Sequence, residues 1–335
     1  MNRRSAGKMC LLLSLLLAVS WAACGKSEPS KNADTATPTA SVSVSPSPSP
    51  DISADEPRSD AVSASPTAGE SSDWVCAVQP FAKSIDIAEA SGAIVLDSGK
   101  IMVVGDSGTN GSYLLLDAET GDEVESGRLP LDRRVSDDLE GLAQMDGHIF
   151  AITSSGWVQK WARTESGFRT QQKSYALAPW DKRELVCRSA KDSNCAQNYE
   201  GLCLLRSAPA KGECAGFAAA KATGRLLCLT YDENGNSERR LQIDPSRVLQ
   251  VAGSRTLSGC DFDEQGRLWF GNNFFAANSI GYIENWKSFK TPQITSLGPV
   301  GLGFDEAIAV GKDGLIYRFS DTTASPSLLG KYICR

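Results

Sequence analysis

The chain has 335 residues, 40 acidic against 34 basic side chains, a net charge of −6 and a single histidine. An acidic chain with no basic run is a poor match for nucleic acid and does not adhere to anionic lipid by charge. With one imidazole in the whole chain, His148, a Ser-His-Asp or Cys-His mechanism has almost nothing to stand on.

The chain opens MNRRSAGKMCLLLSLLLAVSWAAC, with Arg3, Arg4 and Lys8 ahead of an apolar run from Met9 to Val19. That run is too short for a spanning helix and reads as a secretory signal over residues 1–23. WAAC, Trp21 to Cys24, resembles the bacterial lipobox. The resemblance implies that Cys24 becomes the lipidated, palmitate-bearing first residue of an exported chain anchored to the cell envelope. Gly25 stands where an aspartate would imply inner-membrane retention, so in a host with two membranes the implied site is the outer one. The alternative is a plain cleaved signal with Cys24 as a spare thiol. Residues 24–73 are rich in Ser, Pro, Thr, Ala and acidic side chains, as in SVSVSPSPSPD. Such a segment buries too little apolar surface to offset its ordering entropy and reads as a disordered tether.

The globular domain is then residues 74–335, about 260 residues, enough for one sizeable core. Beyond Cys10 and Cys24 it holds Cys76, Cys187, Cys195, Cys203, Cys214, Cys228, Cys260 and Cys334. An even count in an exported chain favours disulfides, and the absence of any CxxC spacing disfavours zinc. Cys76 is expected to pair with Cys334, since they lie at the two ends of the domain. Cys187 is expected to pair with Cys195 across a short polar loop. The other four are left unassigned.

Four segments repeat one pattern: EASGAIVLDSGKIMVVGD from Glu89, DLEGLAQMDGHIFAITSS from Asp138, LSGCDFDEQGRLWFGNN from Leu257 and FDEAIAVGKDGLIYRFSD from Phe304. Each has a polar residue before Gly or Ala, a short apolar strand, a turn ending in Gly99, Gly147, Gly266 or Gly314, and a second strand. A fifth copy, NYEGLCLLRS from Asn198, continues through an insertion to CAGFAAAK. Gly92, Gly141, Gly201, Gly259 and Ala307 are spaced by 49, 60, 58 and 48 residues. Short strands and tight turns at a period near fifty predict an all-β fold, a β-propeller of four-stranded blades, five in number. A sixth, degenerate blade around residues 160 to 200 is the alternative. Leu315, Tyr317 and Phe319 alternate as on a half-buried strand, and the Asn-Gly of DENGNSE marks a hairpin rather than a calcium loop.

His148 follows a turn glycine, and its counterparts in the other repeats are Lys100, Arg267 and Leu315, which share no catalytic chemistry. It reads as a strand-start side chain. More informative are Ser91, Glu140, Glu200, Ser258 and Glu306, the oxygen-bearing residues before the repeated Gly or Ala. On strands lining a propeller channel they form a ring at one depth. Carboxylates so gathered need protons, a cation or intervening water. Either they accept backbone N–H groups in a wet channel, or they hold a hard cation, Ca²⁺ being the one that suits oxygen ligands. Glu89, Asp138 and Asp305 lie near enough to contribute.

DLEGLA at Asp138, NYEGLCLL at Asn198 with GFAAAK, and LSGCDFDEQGRLW at Leu257 resemble the exported propellers called phytase-like esterase or SdiA-regulated proteins. The resemblance spans most of residues 85 to 320. It implies a cation near the channel mouth and ester or phosphoester hydrolysis, with Glu140, Glu200 and Glu306 at the acidic positions and Ser91 and Ser258 as the Ser-Gly variant. No basic cluster stands beside those acids to grip a polyphosphate such as phytate.

Three functions follow. The first is a membrane-anchored, extracytoplasmic recognition module that presents its channel mouth to a protein or small ligand. The second is a metal-assisted ester or phosphoester hydrolase, with Asp138 or Asp305 as its acid or base. The third is a structural envelope protein that uses exposed aromatics among Trp157, Trp180 and Trp286 for contacts, unless these tryptophans are core.

Overall fold

The structure is a computed structural model that describes residues 75–179, 181–234, 238–253, 255–274, 277–301, 303–320 and 326–335. The leader, Cys24, the Ser/Pro-rich segment and Trp180 lie outside them. The chain divides into residues 1–67 and a second unit, residues 68–335, to which all the described residues belong.

That unit is a five-bladed β-propeller. Strand β1 (Cys76–Ile85) comes first in the chain and belongs to the last blade. Blade one is β2 (Ala90–Val95), β3 (Lys100–Gly105), β4 (Ser112–Asp117) and β5 (Glu123–Arg128). Blade two is β6 (Leu139–Met145), β7 (His148–Thr153), β8 (Trp157–Thr164) and β9 (Gly167–Ala176). Blade three is β10 (Tyr199–Leu204), β11 (Cys214–Ala220), β12 (Arg225–Asn234) and β13 (Glu238–Gln250). Blade four is β14 (Leu257–Phe262), β15 (Leu268–Phe274), β16 (Ala277–Ile283) and β17 (Ile294–Pro299). Blade five is β18 (Asp305–Val310), β19 (Leu315–Ser320) and β20 (Ser327–Cys334), completed by β1 on its outer edge. Residues 160 to 200 hold most of β8, β9, a long loop and the start of β10, so among the described residues no sixth blade stands there.

The turn glycines do what the repeat requires. Gly99, Gly147, Gly266 and Gly314 have φ of 77°, 72°, 77° and 77°, which a side chain would resist, and each closes the hairpin between the first two strands of its blade. Blade three replaces that turn with the insertion before Cys214.

Apolar clusters fill all five gaps between blades. This corrects the half-buried reading of LIYRFS. Tyr317 and Phe319 pack towards blade one while Ile316 packs towards blade four, because a blade is covered on both faces. The outermost strands are the ones most open to solvent, as in β5. Trp286 is likewise core, its indole N–H donating to the Gly266 carbonyl at 2.8 Å, and Trp157 is half-buried.

β1 and β20 place Cys76 opposite Cys334 and a disulfide joins them, so the ring is closed covalently. Cys187 pairs with Cys195 as expected. The remaining pairs are Cys203 with Cys260, which staples the inner strands of blades three and four, and Cys214 with Cys228 inside blade three. Four disulfides fit an oxidising environment outside the cytoplasm.

Candidate functional site

Each inner strand breaks register with its neighbour at one residue. The pairing skips between Ala90 and Gly92, Leu139 and Gly141, Tyr199 and Gly201, Leu257 and Gly259, and Asp305 and Ala307. The skipped residues are Ser91, Glu140, Glu200, Ser258 and Glu306, the five positions singled out in the repeats. A bulge re-aims its side chain, and of the five Ser91, Glu140 and Glu200 line the small cavity on the channel axis.

The next residue along explains the glycines. Inner strands of a five-bladed ring approach so closely that a Cβ on Gly141 would lie 2.4 Å from the Leu202 nitrogen, and one on Gly201 2.8 Å from Gly259 Cα. The cavity left at this level is ≈ 10 Å³, about one water's room. The channel is therefore shut at the glycine ring, and a ligand reaches the carboxylates only from the mouth.

The ring divides into two halves with different electrostatics. In the first, the Lys221 ammonium sits 3.2 Å from Glu200 and 3.3 Å from Glu306. Asn198 Nδ2 donates to Glu200 at 2.9 Å and Asn273 Nδ2 to Glu306 at 3.3 Å. Burial and then Glu306 raise the Glu200 carboxyl well above its usual range, while Lys221 pulls it back. Burial works against the Lys221 charge, but Glu200 and Glu306 outweigh it and hold its pKa above the ordinary lysine value.

In the second half, carboxylate oxygens of Asp106, Asp138 and Glu140 lie within 4.8 Å of one another. The Ser91 hydroxyl donates to Glu140 and the Ser154 hydroxyl to Asp138. Burial, then Glu200, Asp106 and Asp138, push the Glu140 carboxyl well above its usual range. Burial, and a hydrogen bond shared with Asp106, push Asp138 up to about 7. Among the described residues no basic side chain pairs with these three. Hard oxygen donors in this number suit Ca²⁺. Of the five residues proposed from sequence as metal ligands, only Glu140 belongs to this cluster. Ser258 instead accepts from the fully buried Arg318 at 3.3 Å, and Asp305 lies 3.7 Å from the same guanidinium. Glu89 is half-buried and offers its backbone carbonyl to the Asp106 N–H at 2.9 Å.

The sequence pattern does not single out Asp106 or Lys221 at first sight, although a signal exists. Asp106, Ser154, Lys221 and Asn273 each follow the residue paired with the start of the inner strand, so they occupy one repeated position at the exit of the second strand. They form an outer polar ring that faces the bulge residues. His148 takes no part: it lies at the other end of the β6–β7 hairpin from Glu140, its Nδ1 2.9 Å from the Asp146 carbonyl.

No protein-family model matches this chain, and no curated protein is similar to it. Solved structures are similar in fold. Glutaminyl cyclase of Myxococcus xanthus is 13% identical with a TM-score of 0.46, over 78% of this chain and 98% of that one. The PQQ-bound aldose sugar dehydrogenase of Streptomyces coelicolor is 12% identical with a TM-score of 0.44, over 79% and 99%. The calcium-binding protein regucalcin of Agrobacterium tumefaciens is 11% identical with a TM-score of 0.40, over 74% and 93%. At such identities the likeness concerns the propeller alone, and the blade count rests on the strand order described above.

Proposed function

We propose that this protein is an exported recognition module, lipid-anchored to the envelope through Cys24, whose channel mouth holds Ca²⁺ and presents it to a protein or small-molecule ligand. The observation that carries the cation is the contrast within the ring. Glu200 and Glu306 have Lys221, whereas the carboxylates of Asp106, Asp138 and Glu140 converge and, among the described residues, pair with no cationic side chain. The Ser91 and Ser154 hydroxyls stand ready as further oxygen ligands. A closed channel supports presentation at a surface rather than passage through the ring. The WAAC motif and the four disulfides support export, and the outer membrane is the destination in a host with two membranes.

The test is the thermal midpoint of the disulfide-intact protein at pH 8 after chelation and again in millimolar Ca²⁺. A rise that Asp138→Asn and Glu140→Gln abolish establishes a native-state cation site by linkage. No rise in the unmodified protein overturns it. Mass spectrometry of the protein from membranes, against Cys24→Ser, decides the anchor.

One observation favours metal-assisted ester or phosphoester hydrolysis as a second reading. Asp138 lies beside Asp106 and Glu140 at the channel mouth, and burial raises its carboxyl to about 7, the range that suits a general base. Turnover of ester or phosphoester substrates that requires Ca²⁺ and is lost in Asp138→Asn would favour it over presentation alone.

A further inference from the structure

Away from the channel, β9 and β13 meet at the gap between blades two and three, where the Leu241 N–H donates to the Tyr175 hydroxyl at 3.0 Å. There the surface opens into two adjoining chambers of ≈ 470 and ≈ 550 Å³, whose common wall is Trp157, Tyr175, Ala176 and Arg240. Each is of a size that accepts a small organic molecule.

The chambers differ in character. The larger is walled by apolar groups, among them Leu177, Pro179, Leu185 and Ile243. The smaller carries Arg134, Lys173 and Arg240 against one carboxylate, Asp132, which Arg134 already occupies at 2.5 Å. Arg134 is paired with Asp132 and Arg240 with Glu238, so the cation this chamber leaves unpaired among the described residues is Lys173. Two buried donors at the common wall have no acceptor among the described residues: the indole Nε1 of Trp157 and Nε of Arg240. Arg240 stacks over the Tyr175 ring at 5.1 Å and spends one terminal nitrogen on Glu238 at 2.8 Å, which leaves Nε over. A donor left without an acceptor is costly, and an occupant's carboxylate that draws either one towards the chamber relieves that cost.

We propose that this groove binds a small amphiphilic anion, a monocarboxylate with an aliphatic or aryl body. Its carboxylate lies in the basic chamber against Arg240, Lys173 and the Trp157 N–H, and its body fills the apolar chamber. The site is independent of the channel mouth and of any cation there.

The experiment titrates octanoate into the disulfide-intact full chain by calorimetry, with octanol and octylammonium as chain-matched neutral and cationic controls. Octanoate is expected to saturate one site, with both controls at least tenfold weaker. Arg240→Met and Trp157→Phe should each weaken octanoate about fivefold or more. Lys173→Met should weaken it about threefold, and because Lys173 is exposed that variant folds even if the other two do not. Chelation and Asp138→Asn should leave octanoate binding unchanged. Absence of a saturable octanoate site overturns the proposal, as does equal affinity for the three probes or indifference to the substitutions that fold.

Discussion

The two halves of the channel mouth are built from the same repeat and meet the same difficulty in opposite ways. Around Glu200 and Glu306 the second-strand exit residue is a lysine, so the buried charge is neutralised by the chain itself. Beside Glu140 stands Asp106, the exit residue of the preceding blade, an acidic side chain where blade three supplies a basic one. The neutralised half is complete as folded. The other is satisfied only by protons or by something from solution, and that makes it the better place for a ligand.

The heaviest blow to this contrast is Lys221→Met, which leaves Glu200 and Glu306 with amide donors but no cationic partner. Breaking a buried pair from one side costs about 3–5 kcal/mol. At ~2–4 °C per kcal/mol for a domain of this size, the midpoint at pH 8 should fall by about 10 °C. Lowering the pH should recover part of the loss, since the stranded carboxylates then protonate. A midpoint that does not move would mean that the two halves do not differ in the way described.

Gly201→Ala comes next, because Gly201 follows Glu200 on β10 and is packed between Gly141 and Gly259. Its Cβ would meet backbone, Gly259 Cα at 2.8 Å and Cys260 N at 3.0 Å, and backbone does not step aside. A loss of about 1–3 kcal/mol in chemical denaturation is expected. Gly92→Ala should cost less, because its nearest obstacle is the Val104 methyl at 2.8 Å, the end of a side chain.

The acidic half can be sharpened with pH. In the folded protein Asp138 and Glu140 keep protons that the unfolded chain, with ordinary carboxylate values, has released. The folded state thus binds more protons between about pH 4 and 7, and stability declines as pH rises through that window. Ca²⁺ should restore stability at pH 8, by about 2.7 kcal/mol at a hundredfold excess over its Kd, and do little at pH 5 where protons hold the site. Asp138→Asn should raise the chelated midpoint at pH 8 by about 2–4 °C and flatten the pH dependence. A calcium response equal at both pH values would place the ion elsewhere. The smallest effect belongs to His148→Ala, expected within ~0.5 kcal/mol in the same melts, since the side chain makes one local contact far from the mouth.

How much of this is legible in the sequence depends on whether a residue's role is local or shared. The five bulge positions and four turn glycines repeat along the chain, and a repeat fixes backbone geometry wherever it occurs, so the linear pattern alone makes them stand out. Cys76 with Cys334 follows from a ring that must close at its ends, and Cys187 with Cys195 from a short loop. The pairing of Cys203 with Cys260 does not follow, because it needs the knowledge that β10 and β14 lie side by side at that height. The alternation in LIYRFS is visible, but its second face is not, since only the neighbouring blade decides that Ile316 and Arg318 are also buried.

The linear chain thus determined the blade and the ring of polar groups, and favoured five blades over six, because these arise from local patterns repeated about every fifty residues. Only the closed ring decided which carboxylates meet which partners. Lys221 reaches Glu306 across 85 positions of sequence and Asp106 faces Glu140 from the preceding blade. Charge compensation is a property of distances through space, and no periodicity along the chain encodes those.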